Sequence, residues 1–405
     1  MNQSSGFILY PKRWVVLAVF MLINLAIQLL WISYAPINGL AAEFYGVSEL
    51  QIGFLAMTFM IAFLPLSIPI SWLIDTIGFK FAVSIGAVLM GISGIARGLA
   101  GANYTLVLIS TIGLAVAQPF MMNSWTKAAA NWFGPQERAT AVGLVILANL
   151  VGTALGMVLP PAMTGIGIAN MQLVFGGIAA VTALLFVLLA SDKPVTPPCP
   201  PEMEERSLML DGLKHAIRQP GFWMYATIWF LGMGVFNGIS TWVEGIIKPR
   251  GFTSSDAGTM GAMLILGGLI GAVAIPALSD RSGKRVPFLR LGMFLSIPGL
   301  IVLSLTQVTW LLHASAFLFG FFLISTSPVG MQYVAEVTYP TPEGTSNGLI
   351  QLVGQASVVF VYIMEDLKTG SGDFLPAMLL CVAMILIGAL ITLWMKDIKK
   401  RAVTN

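Results

Sequence analysis

The sequence reads DTIGFK at residues 75–80 and DRSGKR at residues 280–285, and these two segments decide the fold. In both, Gly follows Asp by three residues and a basic residue follows Gly by two. The second copy lies 205 positions after the first, which is about half of the 405-residue chain. Each copy comes directly after a long apolar segment. An offset of this size predicts an internal repeat, with two halves built alike.

A second pair of segments supports the repeat. The chain reads FGPQERATAVG at residues 133–143 and YPTPEGTSNG at residues 339–348. The two aromatic residues are 206 positions apart, and so are the two glutamates, whereas the final glycines are 205 apart. Two pairs in nearly the same register favour a repeated functional loop over two unrelated turns.

The composition indicates which solvent surrounds the protein. Hydrophobic residues make up 57% of the chain and charged residues only 10%, against about 25% charged in a typical soluble domain. This excludes a soluble enzyme, a nucleic-acid-binding protein and a disordered chain. Twelve apolar segments are each long enough to cross about 30 Å of hydrocarbon. Their approximate ranges are 14–40, 50–73, 81–100, 105–128, 140–163, 170–190, 221–246, 257–279, 286–305, 309–334, 345–365 and 374–395.

These segments predict an all-α membrane protein with twelve transmembrane helices in two pseudo-symmetric six-helix bundles. If the N-terminus is inside, seventeen of the 21 Lys and Arg residues lie on the inner side and four on the outer side. We therefore expect cytoplasmic termini in a multi-pass protein of the cell (inner or plasma) membrane. The predicted domains are an N-terminal bundle at 1–190, a cytoplasmic linker at 191–219 with an amphipathic helix near 208–217, and a C-terminal bundle at 220–405.

Polar residues recur at helical spacing inside four of the predicted spans, which makes them candidates for a substrate site. Spans 1 and 7 occupy equivalent places in the two halves, so a polar face on each suits a central cavity at the midplane. The alternative is that Asn and Gln only bond neighbouring helices together. The candidates are Asn24, Gln28 and Trp31 on span 1, Gln118 on span 4, Asn237 and Thr241 on span 7, and Gln355 and Tyr362 on span 11.

The repeated loops carry the residue types that a gate at the inner side requires. A carboxylate can accept from backbone N–H groups or pair with a base, and Gly permits a tight turn. The alternative is inner-side positive charge beside a simple interfacial turn. The predicted gating residues are Asp75, Gly78, Lys80, Glu137 and Arg138 in the first half, and Asp280, Arg281, Gly283 and Arg285 in the second.

The two D-x-x-G-x-[KR] loops and the W-F-x-x-x-E-R-x-x-A segment at residues 132–141 resemble the major facilitator superfamily of solute carriers. A narrower resemblance, to the FLVCR-type carriers (feline leukaemia virus subgroup C receptor-related), rests on YPKRW at 10–14, WISYAPIN at 31–38, FYGVS at 44–48, LPP at 159–161 and EVTYPTPEGTSNG at 336–348. That family includes carriers of choline and ethanolamine and proteins proposed to export haem. The chain looks like a compact prokaryotic member.

The resemblance implies roles for individual residues. Trp31 matches an aromatic residue that contacts substrate in choline-carrying relatives, and Gln118 and Gln355 match the two cavity glutamines. Asn237 departs from the pattern, because the relatives have an aromatic residue there. An aromatic cage for a quaternary ammonium is therefore incomplete.

The expected function is transport of a small organic solute, an amino-alcohol or organic cation, by alternating access. The alternative is an exporter of amphipathic, haem- or drug-like compounds, possibly proton-coupled. No carboxylate or His falls clearly at mid-membrane, which favours facilitated diffusion or coupling through Glu244. The two His and two Cys are scattered, so we expect no enzyme activity, no metal and no cofactor. The expected partners are a small-molecule substrate and the lipid bilayer, without nucleic acid, and the superfamily resemblance implies a monomer.

Overall fold

Every regular element in the described residues is a helix. The computed structural model describes residues 10–134, 137–196, 214–339, 341 and 343–397. Twelve helical segments in these ranges are long and apolar enough to cross a membrane, which confirms the predicted fold class and the number of spans. The orientation of the termini stays a prediction.

The described residues group into two compact units that separate within the undescribed stretch 197–213. The predicted linker and its amphipathic helix fall largely on this stretch, outside the described residues. The first unit contains helices Lys12–Ile32 and Asn38–Tyr45 (span 1), Glu49–Ile77 (span 2), Phe79–Leu99 (span 3), Tyr104–Met122 and Trp125–Trp132 (span 4), Arg138–Met163 (span 5) and Ile168–Leu189 (span 6). The second contains Pro220–Thr241 and Val243–Ile247 (span 7), Ser254–Ser282 (span 8), Val286–Leu305 (span 9), Thr309–Val337 (span 10), Glu343–Ala356 and Val358–Asp366 (span 11) and Leu375–Trp394 (span 12).

The turns that begin spans 2 and 8 show the repeat in structural detail. Ser48 and Gln51 form a reciprocal capping box at the start of span 2, and Thr253 and Asp256 form one at the start of span 8. In such a box, each side chain satisfies a backbone N–H that the first helical turn leaves free. Both pairs are separated by 205 positions, which is the offset of the repeated loops.

Small residues bring helix backbones into direct contact within each unit. A Cβ on Gly152 or Gly156 of span 5 would overlap the backbone of span 1, at Leu25 and Leu29. In the second unit, a Cβ on Gly267 or Gly271 of span 8 would overlap carbonyl oxygens of span 10. Close backbone approach gains dispersion energy that lipid cannot supply, so these glycines set the packing distances.

Spans 1, 4, 7 and 11 are each divided into two helices. Span 1 is interrupted at Ser33–Ile37, where Pro36 has no N–H to continue the ladder. Span 4 is interrupted at Asn123–Ser124, span 7 at Trp242 and span 11 at Ser357. Interrupted backbone is tolerated at membrane depth only where it is buried in protein or lines a cavity. The interruptions fall on the four spans that carry the polar candidates.

Candidate functional site

Two tryptophans connect the polar face of span 1 to its neighbours in the first unit. The Trp125 indole N–H donates to Asn24 Oδ1 at 2.7 Å, and the Asn24 amide donates to the Phe20 carbonyl at 2.9 Å. Trp31 Nε1 donates to the Ala56 carbonyl of span 2 at 3.2 Å. Trp31 is only 8% exposed and lies beside the interruption of span 1. Its indole N–H is engaged, which leaves the ring faces for other contacts.

Two glutamines of the first unit are buried with part of their hydrogen-bonding capacity unused. Gln28 and Gln118 are each 4% exposed. The Oε1 atom of each has no hydrogen-bond donor among the described residues. A buried acceptor without a partner is unusual in a folded protein and calls for an explanation, of which a ligand is one.

In the second unit, the candidates divide into buried and exposed residues. Asn237 is 2% exposed, and its amide donates to the Ser357 hydroxyl at the interruption of span 11, at 3.3 Å. Thr241 and Gln355 are also buried. Tyr362 is 57% exposed, and it lies beyond the interruption from Gln355.

Spans 7 and 11 are not the unbroken helices that the sequence spacing presumes. The spacing of Thr241 and Glu244, and that of Gln355 and Tyr362, presumes an unbroken helix, whereas Trp242 and Ser357 divide it. Glu244 is buried and accepts from the Ser254 hydroxyl at 2.7 Å, so it connects span 7 to the start of span 8. The spacing of polar residues alone does not reveal where such a helix is interrupted.

Sequence reasoning missed Trp229, which lies eight residues before Asn237 on span 7. Its indole Nε1 is buried without an acceptor among the described residues, and it touches the position of Gly354, where a Cβ would overlap it. The repeat contained a signal for it, because Trp229 lies 205 positions after Asn24.

A charged cluster forms at the predicted inner end of the second unit. Arg285 Nε donates to Glu336 Oε1 at 3.1 Å, and Arg285 Nη1 donates to Asp280 and to the Ser279 hydroxyl. Burial lowers the pKa of Arg285, but hydrogen bonds to Asp280 and Glu336 outweigh it and raise this pKa above its ordinary value. The guanidinium therefore stays charged at every physiological pH. Arg281 is exposed beside this cluster.

The first unit pairs its charges differently at the equivalent end. Asp75 Oδ1 lies 3.3 Å from Lys127 Nζ on the second helix of span 4, and Glu137 Oε2 lies 3.0 Å from Arg13 Nη1. Lys127 thus pairs with Asp75, one of the predicted gating carboxylates. Arg138 donates from Nε to the Phe133 carbonyl at 3.3 Å. Gly78 and Gly283 both have positive φ, of 91° and 66°.

Sequence reasoning also missed two carboxylates that cap the gate loops. Asp192 Oδ1 accepts from the Lys80 backbone N–H at 2.9 Å, at the start of span 3. Asp397 Oδ1 accepts from the backbone N–H groups of Arg285 and Val286, each at 2.8 Å, at the start of span 9. The offset contained the signal, because Asp192 and Asp397 are also 205 positions apart. Each half therefore ties its gate loop to the end of its own last span.

We expect Asp397→Ala to lower the free energy of unfolding by about 1–2 kcal/mol, since two N–H groups of a first helical turn lose their acceptor. Asp397→Asn should retain most of the stability, because an amide oxygen still accepts. Thermal unfolding in detergent measures both. Asp366→Ala, at an exposed residue that ends a helix, is the control. Equal melting temperatures for Asp397→Ala and the control would contradict a capping role.

A buried cation holds the interruption of span 1. Arg97 of span 3 is 1% exposed and donates to the Leu30 carbonyl at 3.0 Å, to the Ser33 hydroxyl at 3.1 Å and to Gln172 Oε1 at 2.7 Å. Its guanidinium also lies 5.1 Å from the centre of the Tyr34 ring. These contacts supply donors at the place where the helix ladder stops. Arg97 thus joins spans 1, 3 and 6.

Together, the twelve spans, the two halves in sequence register, the interrupted polar spans and the paired loops define a multi-pass membrane transport protein. A sequence profile of the Major Facilitator Superfamily matches residues 16–362. The chain belongs to this superfamily of transporters, as its loops predicted.

Similar proteins agree with the narrower resemblance. The chain is 28% identical to "Choline/ethanolamine transporter flvcr2b" of Danio rerio, over 98% of this chain and 86% of that one. It is 26% identical to "Choline/ethanolamine transporter FLVCR2" of Homo sapiens, over 97% and 79% of the two chains. It is also 30% identical to "Solute carrier family 49 member A3" of Danio rerio, over 91% and 81%.

A solved structure shows the same fold. A bacterial homolog to the human lysosomal transporter Spinster, in an inward-facing and unoccupied conformation, superimposes with a TM-score of 0.73. The alignment covers 94% of this chain and 96% of that one, at 16% identity.

Proposed function

We propose that the protein carries an amino-alcohol or a small organic cation across the membrane by alternating access. The observation that carries the proposal is the similarity, over nearly the full length of the chain, to proteins named choline/ethanolamine transporters. Support comes from Trp31 on an interrupted span and from the buried Oε1 atoms of Gln28 and Gln118, which have no donor among the described residues. In secondary transporters, substrate sites typically lie near the bilayer midplane on discontinuous helices.

The candidate residues divide into aromatic and polar contacts. Trp31 offers its ring faces to a cation, since its N–H is engaged elsewhere, and a desolvated cation–π contact contributes about 2 kcal/mol. Gln118 and Gln355 offer amide groups, and Asn237 offers a polar group without an aromatic face. Asn24, Gln28, Thr241 and Tyr362 complete the proposed set.

The loops at the predicted inner end are the proposed gate. In each unit, they bind into a charged cluster of the same unit, with a positive-φ glycine at the turn. Because paired charges hold each loop to its own unit, the loop can move as one body with that unit during the transport cycle. Glu244, a buried carboxylate at the predicted outer end of span 7, is the candidate for ion coupling. We place the protein in the cell membrane as a monomer with both termini inside.

The test is uptake of labelled ethanolamine and choline into liposomes that contain the purified protein. We expect saturable uptake of at least one, and at least a tenfold lower kcat/KM in Trp31→Ala because the cation loses its aromatic face. Trp31→Phe, which keeps a ring, should lose less. Saturable uptake that is equal in the unaltered protein and Trp31→Ala would remove Trp31 from the site. Uptake of neither compound by monodisperse protein would contradict the proposed substrate class.

A further inference from the structure

Around the candidate polar residues of the first unit, several hydrogen-bond donors have partners, whereas two of the acceptors have none in the described part of the chain. Three N–H groups are already donated, from Asn24, Trp31 and Trp125, to acceptors within the unit. By contrast, the Oε1 atoms of Gln28 and Gln118 have no donor among the described residues. This face therefore has unused acceptors next to donors that are engaged.

The two Oε1 atoms without donors, of Gln28 and Gln118, lie on adjacent helices. The hydrogen bond between Trp125 and Asn24 shows that the second helix of span 4 contacts span 1, and the first helix, Tyr104–Met122, which carries Gln118, also packs against helix Lys12–Ile32. Gln28 lies one helical turn beyond Asn24, and Gln118 lies about two turns before Trp125 along a span that runs the opposite way. Both glutamines are therefore displaced from the Trp125–Asn24 contact toward the same end of the unit, and Trp31 is displaced in that direction too.

A ligand that binds here must bring hydrogen-bond donors. A buried acceptor left without a donor weakens binding by about 5- to 150-fold relative to a satisfied one. A primary ammonium carries three N–H groups, whereas a quaternary ammonium carries none. Trp31 attracts both kinds of cation through its ring. The glutamines alone distinguish them.

We propose that Gln28 and Gln118 make this protein selective for primary and secondary ammonium groups over quaternary ones, so that ethanolamine-like amino-alcohols are its preferred substrates. This inference rests on the proposed function and narrows it. A primary or a secondary ammonium can donate to both Oε1 atoms, a tertiary ammonium to only one and a quaternary ammonium to neither.

The experiment compares ethanolamine, N-methylethanolamine, N,N-dimethylethanolamine and choline, which carry three, two, one and no N–H groups. All four share one hydroxyl, so only the ammonium differs. In proteoliposomes, we expect similar kcat/KM values for the first two compounds, a lower value for the third and the lowest for choline, about tenfold or more below ethanolamine. Choline carried as well as or better than ethanolamine would overturn the selectivity.

Variants connect the series to the two residues. Gln28→Met and Gln118→Met remove one vacant acceptor each at similar volume, and each should reduce the ethanolamine-to-choline ratio at least threefold. The ratio is taken within one preparation, so the amount of folded protein cancels. Ser110→Ala is the control, because the Ser110 hydroxyl donates to the Leu106 carbonyl of its own helix, at 2.8 Å. An unchanged ratio in both Gln variants would contradict the assignment to these residues. Accumulation of none of the four compounds would contradict the proposed function and this inference together, whereas equal transport of all four contradicts the inference alone.

Discussion

Replacement of Gly267 and Gly271 together by Val is expected to reduce the yield of folded protein severely. A Cβ at either position overlaps a carbonyl oxygen of span 10, at Phe317 and Phe321 respectively. Backbone is the obstacle at both sites, so no side-chain rotation relieves the overlap and spans 8 and 10 must separate. Overpacking of a buried site costs about 1–3 kcal/mol, occasionally more, and two such sites take up much of the 5–15 kcal/mol by which a typical protein is stable.

The measurement is the fraction of monodisperse protein after extraction in detergent, followed by thermal unfolding of whatever remains. The matched control is Gly143→Val with Gly177→Val. These two glycines are also helical, and a Cβ on either meets nothing within 4 Å. Because both pairs change helix propensity equally, a difference between them reports the interhelical contact. Similar yields and melting temperatures for the two double variants would show that spans 8 and 10 are not closely packed.

Arg285→Gln is expected to reduce the transport rate at least tenfold while it costs only about 1 kcal/mol in stability. The variant leaves Asp280 and Glu336 without the guanidinium that both of them contact. Their side chains are 66% and 32% exposed, so water screens much of the lost attraction. The transport rate should fall more than the stability does, because the gate loop is no longer held by Arg285.

The readout is the rate of substrate exchange across proteoliposomes, compared with substrate affinity and melting temperature in the same preparations. Lys284→Gln, at an exposed residue of the same loop, removes equal charge and should leave exchange unchanged. Arg285→Lys keeps the charge but loses the branched donor, so it should recover part of the rate. If Arg285→Gln and Lys284→Gln exchange substrate equally fast, the loop carries only inner-side charge and does not gate.

In the interrupted spans, the periodicity of the sequence predicts part of the structure but not the helix breaks. Periodicity placed Asn24, Gln28 and Trp31 on one face, and the structure keeps them in one helix, Lys12–Ile32. Periodicity did not predict the interruptions at Trp242 and Ser357, since neither residue is a proline that would mark the break. Pro36 is a plain local signal in span 1, since it removes a backbone donor there.

Arg97, Asp192 and Asp397 were not predicted for a related reason. The hydrogen bond between Asp192 and Lys80 joins residues 112 positions apart, and the one between Arg97 and Gln172 joins residues 75 apart. In the sequence, Arg97 looks like any other basic residue near the end of a span. Only the approach of spans 1 and 6 shows that it is buried and engaged.

The sequence by itself determined that this is a twelve-span transporter built from two related halves. Burial of apolar segments in lipid depends on each segment's own length and composition, and the 205-residue offset is visible without coordinates. The tertiary structure alone decided which polar groups are satisfied: Asn24 and Trp31 are, whereas the Oε1 atoms of Gln28 and Gln118 are not. The physical reason is that a hydrogen bond needs two atoms within about 3 Å, and helix packing alone brings such distant residues that close.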